Sequence, residues 1–94
     1  MSISKVVSKE GVAIIDVREP LEFMFGHVDG AINMPLRSVP GRIDEIKAFN
    51  GPVVVYCQSG NRSGQAVSFL KSQGLTEVYN GGGLRDMRKI MSGK

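Results

Sequence analysis

The only cysteine of the chain, Cys57, lies where an apolar run meets a polar loop. Residues 53–56 before it are apolar, residues 58–62 after it are polar or glycine, and helical spacing begins near residue 63. The first N–H groups of a helix have no partners within the helix and carry about half a positive charge. A thiol held there by inward-facing loop amides usually has its pKa lowered from about 8.5 to roughly 3.5–7.5. We therefore predict that Cys57 is a thiolate at neutral pH and acts as a nucleophile.

A buried, inert core cysteine is the alternative, because free cysteine is among the residue types most often buried. The reactive interpretation is favoured because Cys57 follows the apolar run rather than lying within it. Gly60 lets the loop bend without a side-chain clash, and Arg62 adds a full positive charge. The only histidine, His27, is distant in sequence, so no Cys–His pair can be inferred. We interpret His27 as a hydrogen-bonded turn residue.

Short β-branched runs alternate with segments of helical spacing along the chain. The runs predict strands at residues 13–17, 31–34, 53–56 and 77–80, with an additional edge strand at 3–7. Helical spacing covers residues 20–26, 42–49, 63–73 and 84–91, and the glycine run 81–83 is typical of a turn. This order predicts one α/β domain over residues 1–94, with a mostly parallel central sheet of about five strands and helices on both faces. Cys57 is predicted at the carboxyl end of a strand, where such sheets gather their chemistry.

Length and composition exclude several classes of protein. The chain has 94 residues, of which 41% are hydrophobic and 22% charged, so it is expected to fold as one globular domain. One cysteine and one histidine exclude an internal disulfide and a four-ligand zinc site.

We expect no membrane contact, because no apolar run approaches the ~18 residues of a membrane span. The net charge of +3 is scattered and no nucleic-acid-binding signature is present, so we expect no nucleic acid partner. A monomer is expected, because a small core accounts for most of the apolar residues. A cytoplasmic location is expected, since no leader segment is evident and an unpaired thiol suits a reducing compartment.

Two long segments resemble the rhodanese homology domain family. Its opening signature resembles residues 14–36, IIDVREPLEFMFGHVDGAINMPL. Its second half, with the active-site loop, the following helix and the glycine run, resembles residues 53–84, VVVYCQSGNRSGQAVSFLKSQGLTEVYNGGGL. Together the two segments cover nearly everything after residue 12. The chain is most similar to the small, single-domain thiosulfate sulfurtransferases of bacterial type.

The resemblance implies a reaction and the residues that perform it. In that family the loop cysteine attacks the outer sulfur of a donor such as thiosulfate, becomes a persulfide, and passes the sulfur to cyanide or a thiol. On this chain Cys57 would be the nucleophile and sulfur carrier. The substrate-binding residues, whose amides would surround the terminal sulfur, are Gln58, Ser59, Gly60, Asn61, Arg62 and Ser63. The implied partners are a small anionic sulfur donor and a small-molecule or protein thiol as acceptor, and no metal or organic cofactor is required.

Related phosphatases and arsenate reductases of this fold are the first alternative, since a similar loop holds a tetrahedral oxyanion. Their loop has one residue more than the four that separate Cys57 from Arg62, and a phosphatase also needs a general acid that nothing in the spacing supplies. Asp16 is better interpreted as a strand-end carboxylate that binds loop amides or Arg18. Arg62 holds either a donor oxygen or a carboxylate near the start of its helix. A non-enzymatic binding module is the second alternative.

Overall fold

A four-stranded parallel sheet forms the centre of the protein. The computed structural model describes residues 2–93. Its strands, in the spatial order β2-β1-β3-β4, are β1 (Ala13–Asp16), β2 (Ile32–Asn33), β3 (Val53–Cys57) and β4 (Val78–Gly83). All neighbouring pairs are parallel, so the carboxyl ends of the strands share one edge of the sheet. The predicted α/β class and the parallel sheet are confirmed.

The predicted edge strand at residues 3–7 is wrong, because this segment forms a one-turn helix, α1 (Ile3–Val6). Its apolar residues Ile3, Val6 and Val7 recur at i, i+3 and i+4, which is the spacing of one helix face and not of a strand. Val6 and Val7 are buried there. The sheet therefore has four strands where about five were expected.

The remaining helices connect or follow the strands. In chain order they are α2 (Pro20–Met24), a 3₁₀ segment (Leu36–Arg42), α3 (Ile43–Lys47), α4 (Asn61–Ser72) and α5 (Leu84–Ser92). Pro20 opens α2 as predicted, because the first turn of a helix does not need its missing N–H. After α4, Gly74 adopts the left-handed conformation and the Leu75 N–H donates to the Leu70 carbonyl, which ends the helix.

Helices cover both faces of the sheet, as predicted. Alternate residues of a strand point to opposite faces. In β3, Val53, Val55 and Cys57 belong to a cluster that joins the sheet to α3 and α4. Val54 and Tyr56 belong to a second cluster that joins the sheet to α1 and α5. Because β3 lies between two strands and under helices on both faces, all of its residues are buried.

The glycine run is part of β4 and not the predicted turn. β4 pairs regularly with β3 as far as Val55, and Gly81 is then the extra residue of a β-bulge. Gly83 approaches the loop after β3 so closely that a Cβ atom there would overlap the carbonyl oxygen of Gln58. The absence of side chains thus lets β4 pass directly against the loop that follows Cys57.

We predict that Gly83→Ala destabilises the protein by about 1–3 kcal/mol, the usual range for overpacking. The added methyl group meets backbone, which cannot rotate away as a flexible side chain could. Denaturant unfolding measures the loss. Gly41→Ala is the matched control, since a Cβ atom at position 41 meets nothing within 4 Å. Equal stability of the two variants would contradict the close approach of β4 to the loop.

Candidate active site

Cys57 is the last residue of β3, and its side chain is buried. Its exposed fraction is 0%, and it packs in the cluster that joins the sheet to α3 and α4. The prediction that Cys57 follows the buried strand is therefore wrong by one residue, because the β3–β4 ladder extends to a Cys57–Gly83 pair. The polar loop begins at Gln58, so the sulfur lies at the boundary between core and loop.

Hydrogen-bond donors from the loop and from α4 converge on this sulfur. The Gly60 N–H donates to Sγ at 3.0 Å, and the Ser63 hydroxyl lies 3.5 Å from Sγ. Gly60 has a φ of 97°, a left-handed conformation that glycine adopts without strain. The first intrahelical hydrogen bond of α4 runs from the Gly64 N–H to the Gly60 carbonyl. The N–H groups before Gly64 therefore remain available to the site.

Burial raises the pKa of the Cys57 thiol, and hydrogen bonds more than reverse this effect. The Ser63 hydroxyl and the backbone N–H groups of Ser63, Ser59 and Gly60 lower the pKa to about 7, from an ordinary value of 9.0. Hydrogen bonds donated to the charged form of an acid stabilise that form. The thiolate is therefore accessible at neutral pH without a neighbouring base.

Arg62 forms an ion pair with Glu22 of α2. Its Nη1 and Nη2 atoms donate to the two carboxylate oxygens at 2.7 and 3.0 Å. The structure shows the pair with a carboxylate, which is one of the two roles predicted for Arg62, and the partner lies 40 residues earlier in the chain. Contact with a donor oxygen stays a prediction. The hydrogen bond to Glu22 is the main cause that raises the pKa of Arg62, and the charge of Cys57 adds to it. The guanidinium thus acts on the sulfur through its charge.

A buried ion pair anchors the opposite side of the loop. The Asp16 carboxylate accepts hydrogen bonds from the Arg18 backbone N–H at 2.9 Å and from the Arg18 guanidinium at 2.8 Å. The same guanidinium donates to the side-chain oxygen of Gln58 at 3.2 Å and to the Gly26 carbonyl at 2.7 Å. The predicted pairing of Asp16 with Arg18 and a loop amide is confirmed. One buried cation therefore ties the end of β1 to the first residue of the Cys57 loop.

The six predicted substrate-binding residues lie around Cys57 at different depths. Ser63 is buried, Gly60 and Arg62 are half-buried, and the exposed rim consists of Gln58, Ser59 and Asn61. The Gly60 N–H and the Ser63 hydroxyl of this set donate to the sulfur, and the backbone N–H groups of Ser59 and Ser63 also help to lower its pKa. Ser59 therefore acts on the sulfur through its backbone, while its side chain belongs to the exposed rim.

His27 has the structural role predicted for it. Its Nδ1 donates to the Phe23 carbonyl at 2.8 Å, and the two aromatic rings stack with centroids 3.6 Å apart. These contacts close the turn after α2. They confirm a hydrogen-bonded turn residue.

Asn80 of β4 is a site residue that sequence reasoning missed. Its Oδ1 lies 2.7 Å from the Ser63 hydroxyl and accepts the Gly82 N–H at 2.9 Å, while its Nδ2 donates to the Gly60 carbonyl at 3.1 Å. An asparagine before glycines is an ordinary turn signal, so residue type and spacing did not distinguish it. It reaches the site because the register of β4 pairs Asn80 with Val55, two residues before Cys57.

The groups that converge on Cys57 suit nucleophilic attack and the binding of a second negatively charged atom at the sulfur. Within residues 2–93, no group of three or more His, Cys, Asp and Glu side chains is placed to hold a metal ion. No helix in this described part of the chain is long and apolar enough to cross a membrane.

Fold and site together define a class: small α/β domains that hold a cysteine thiolate between the end of a parallel strand and the first turn of a helix. The profile of the family described as rhodanese-like domain matches residues 3–87. The chain therefore belongs to the rhodanese-like domain family, and it is an enzyme of the rhodanese type. This confirms the family that residues 14–36 and 53–84 resemble.

Three known proteins illustrate the relationship. Uncharacterized protein YqhL of Bacillus subtilis is 49% identical over 67 residues, which are 71% of this chain and 52% of that relative. Thiosulfate sulfurtransferase PspE of Escherichia coli K12 is 47% identical over 74 residues, 78% of this chain and 71% of that relative. Among solved structures, rhodanese with anions from E. coli superposes with a TM-score of 0.73 and 46% sequence identity. The match covers 80% of this chain and 89% of the E. coli chain. The chain thus spans about half of the first relative and most of the other two.

We predict that Glu22→Gln lowers stability near neutral pH by less than about 1 kcal/mol, because both partners of its pair with Arg62 are one-third exposed. The Arg62 hydrogen bond holds the pKa of Glu22 at about 2, below its ordinary 4.5. A carboxylate with a lowered pKa stabilises the fold above pH 4.5, and that contribution is lost as the pH falls towards 2. Urea unfolding across this range should show the difference between wild type and variant shrinking with acidity.

Glu77→Gln is the control for this experiment, since it removes an exposed carboxylate just before β4. A stability difference for Glu22→Gln that stays constant from neutral pH to acid would contradict the pair.

Proposed function

We propose that this protein is a sulfurtransferase that carries sulfur on Cys57 as a persulfide. The donor is a small anion such as thiosulfate, and the acceptor is a thiol or another thiophilic molecule. The observation that carries the proposal is the set of hydrogen bonds that lowers the pKa of a buried thiol to about 7. The family, and relatives named thiosulfate sulfurtransferase and rhodanese, support the same chemistry.

In the first step the Cys57 thiolate attacks the outer sulfur of thiosulfate. The bond between the two donor sulfurs breaks, its electron pair leaves with sulfite, and Cys57 becomes a persulfide anion. In the second step an acceptor thiolate attacks the outer sulfur of the persulfide, and the electron pair of the broken bond returns to Cys57 as thiolate. Charge is conserved in both steps, and no proton has to be delivered to a leaving group.

The loop supports both steps because an anion occupies it before and after each transfer. The N–H groups of Ser59, Gly60 and Ser63 already face the sulfur, so they need not reorganise during the reaction. Cys57 is 0% exposed, so the donor has to approach the sulfur past the loop residues 58–60 that cover it. A small anion passes such a covered site more easily than a large one, which favours thiosulfate-sized donors.

The outer residues of the loop have a different role. We propose that Gln58, Ser59 and Asn61 contact the donor or acceptor, since they form the exposed rim. Arg62 contributes its positive charge, and it retains N–H donors for an anion because the pair with Glu22 uses only one from each terminal nitrogen. The rim side chains therefore set which molecules bind, and the backbone N–H groups and the Ser63 hydroxyl set how readily the sulfur reacts.

The alternative functions have less support. A phosphatase needs a general acid for the leaving oxygen. The Asp16 carboxylate is bound by Arg18, and Asp29 lines a separate cleft with His27 and Arg88. A thiol whose pKa is lowered to about 7 is not required by a non-enzymatic binding module.

We predict that incubation with thiosulfate adds one sulfur atom to the protein, and that cyanide removes it as thiocyanate. Cys57→Ser should gain no sulfur, because a serine hydroxyl is not ionised near neutral pH. Mass spectrometry of the intact protein, after removal of small molecules, measures both events. An intact Cys57 that never gains cyanide-releasable sulfur would rule out the proposal. Turnover of an aryl phosphate that is lost in Cys57→Ser would favour the phosphatase instead.

We also predict that Ser63→Ala loads sulfur roughly tenfold more slowly near neutral pH, the usual cost of losing one hydrogen bond to a charged group. The Ser63 hydroxyl is the largest of the contributions that lower the pKa of Cys57. The rate is measured by quenching the loading reaction at successive times and determining the fraction of persulfide by mass spectrometry. Ser68→Ala, on the exposed side of α4, is the control and should load like the wild type. If Ser63→Ala loaded sulfur at the wild-type rate, the proposed role of the Ser63 hydroxyl in activating Cys57 would be wrong.

A further inference from the structure

The Ser63 hydroxyl has one proton and two acceptors. It lies 2.7 Å from Oδ1 of Asn80 and 3.5 Å from Sγ of Cys57, and Ser63 is fully buried. A hydroxyl donates one hydrogen, so it serves one acceptor at a time at full strength. The shorter distance assigns the proton to Asn80 in this structure.

The orientation of the Asn80 amide is fixed by two backbone partners. The Gly82 N–H can only donate, so it faces Oδ1 at 2.9 Å, and the Gly60 carbonyl can only accept, so it faces Nδ2 at 3.1 Å. Oδ1 therefore keeps the hydrogen bond from Gly82 when the Ser63 proton turns away. Asn80 can release the hydroxyl without leaving its own oxygen unsatisfied.

The same amide holds Gly60, the residue whose N–H donates to the sulfur at 3.0 Å. Gly60 has a left-handed backbone and lies in the short loop between β3 and α4, outside the hydrogen-bonded sheet. A hydrogen bond to its carbonyl from the edge strand β4 restrains it. Asn80 thus contacts two of the residues that donate to Cys57.

We propose that Asn80 is a positioning residue for Cys57: its amide holds Gly60 and the Ser63 hydroxyl so that both donate to the sulfur when the thiolate forms. The hydroxyl proton then turns from Asn80 Oδ1 to Sγ. Asn80 acts through these two residues and sets how readily Cys57 ionises. The role rests on Cys57 being the nucleophile of the proposed function, but its test measures ionisation and not sulfur transfer.

Charged groups lie on the elements around the site, and none of them is among the three hydrogen-bond partners of Asn80, which are Ser63, Gly60 and Gly82. From α4, α2, α5 and the end of β1 these charged groups are Arg62, Glu22, Asp86, Asp16 and Arg18. A change in the ionisation of Cys57 on substitution of Asn80 therefore reports the new group at position 80 and the donors that it holds.

The test is the pH dependence of Cys57 alkylation by iodoacetamide, which reports the thiolate of the only cysteine. Asn80→Asp keeps an acceptor for Gly82, binds the Ser63 hydroxyl more strongly, and loses the donor to Gly60. The alkylation midpoint should rise by about one pH unit, so the rate at pH 7 should fall about fivefold. Asn50→Asp makes the same charge change at an exposed position near the opposite end of β3 and should leave the midpoint unchanged.

Ser63→Ala separates positioning from the charge of the new carboxylate. In the Ser63→Ala background, Asn80→Asp should raise the midpoint by much less, because the hydroxyl is no longer there to be withdrawn. An equal rise in both backgrounds, or no rise in either, overturns the proposal. Circular dichroism verifies that each variant is folded. Should Asn80→Asp not fold, Asn80→Gln serves the same test, since its longer side chain moves the amide away from both partners.

Discussion

A negatively charged sulfur in a protein interior is costly unless hydrogen-bond donors replace the water that it loses. This constraint governs the molecule, because Cys57 has no exposed surface and yet has a pKa of about 7. The donors are backbone N–H groups of Ser59, Gly60 and Ser63 and one hydroxyl. The strand end, the left-handed glycine and the first turn of α4 all serve to direct these groups at one atom.

The loop is held from both flanks, which keeps those donors fixed. On one side, Arg18 joins Gln58 to the end of β1, and the ion pair between Arg62 and Glu22 joins α4 to α2. On the other side, β4 contacts the loop through Asn80 and its glycines. A site prepared in this way stabilises an anion without a base or an acid, which suits the transfer of sulfur between thiolates. The same contacts also cover the sulfur, so they restrict the approach of a substrate to it.

Local patterns predicted much of this arrangement. The buried strand, the polar loop and the helix around Cys57 follow from short-range signals of hydrophobicity and glycine placement, and they are where residues 53–73 predicted them within one or two residues. The pairing of Asp16 with Arg18 was also predictable, because the two residues are neighbours. Errors arose where a local signal had two meanings. The apolar content of residues 3–7 suggested a strand, but Ile3, Val6 and Val7 have the spacing of a helix face, and this face packs into the core.

The sequence by itself determined that one thiol would stand between a buried parallel strand and a helix N-terminus, since both elements are specified by adjacent residues. Only the tertiary structure decided which distant groups complete the site. Glu22 is 40 residues from Arg62, and Asn80 is 17 residues from Ser63. Many carboxylates and amides along the chain match these by type, and nothing in their spacing selects among them. The register of β4 against β3, with its bulge at Gly81, is a property of the folded sheet, and it is this register that brings Asn80 to the sulfur's donors.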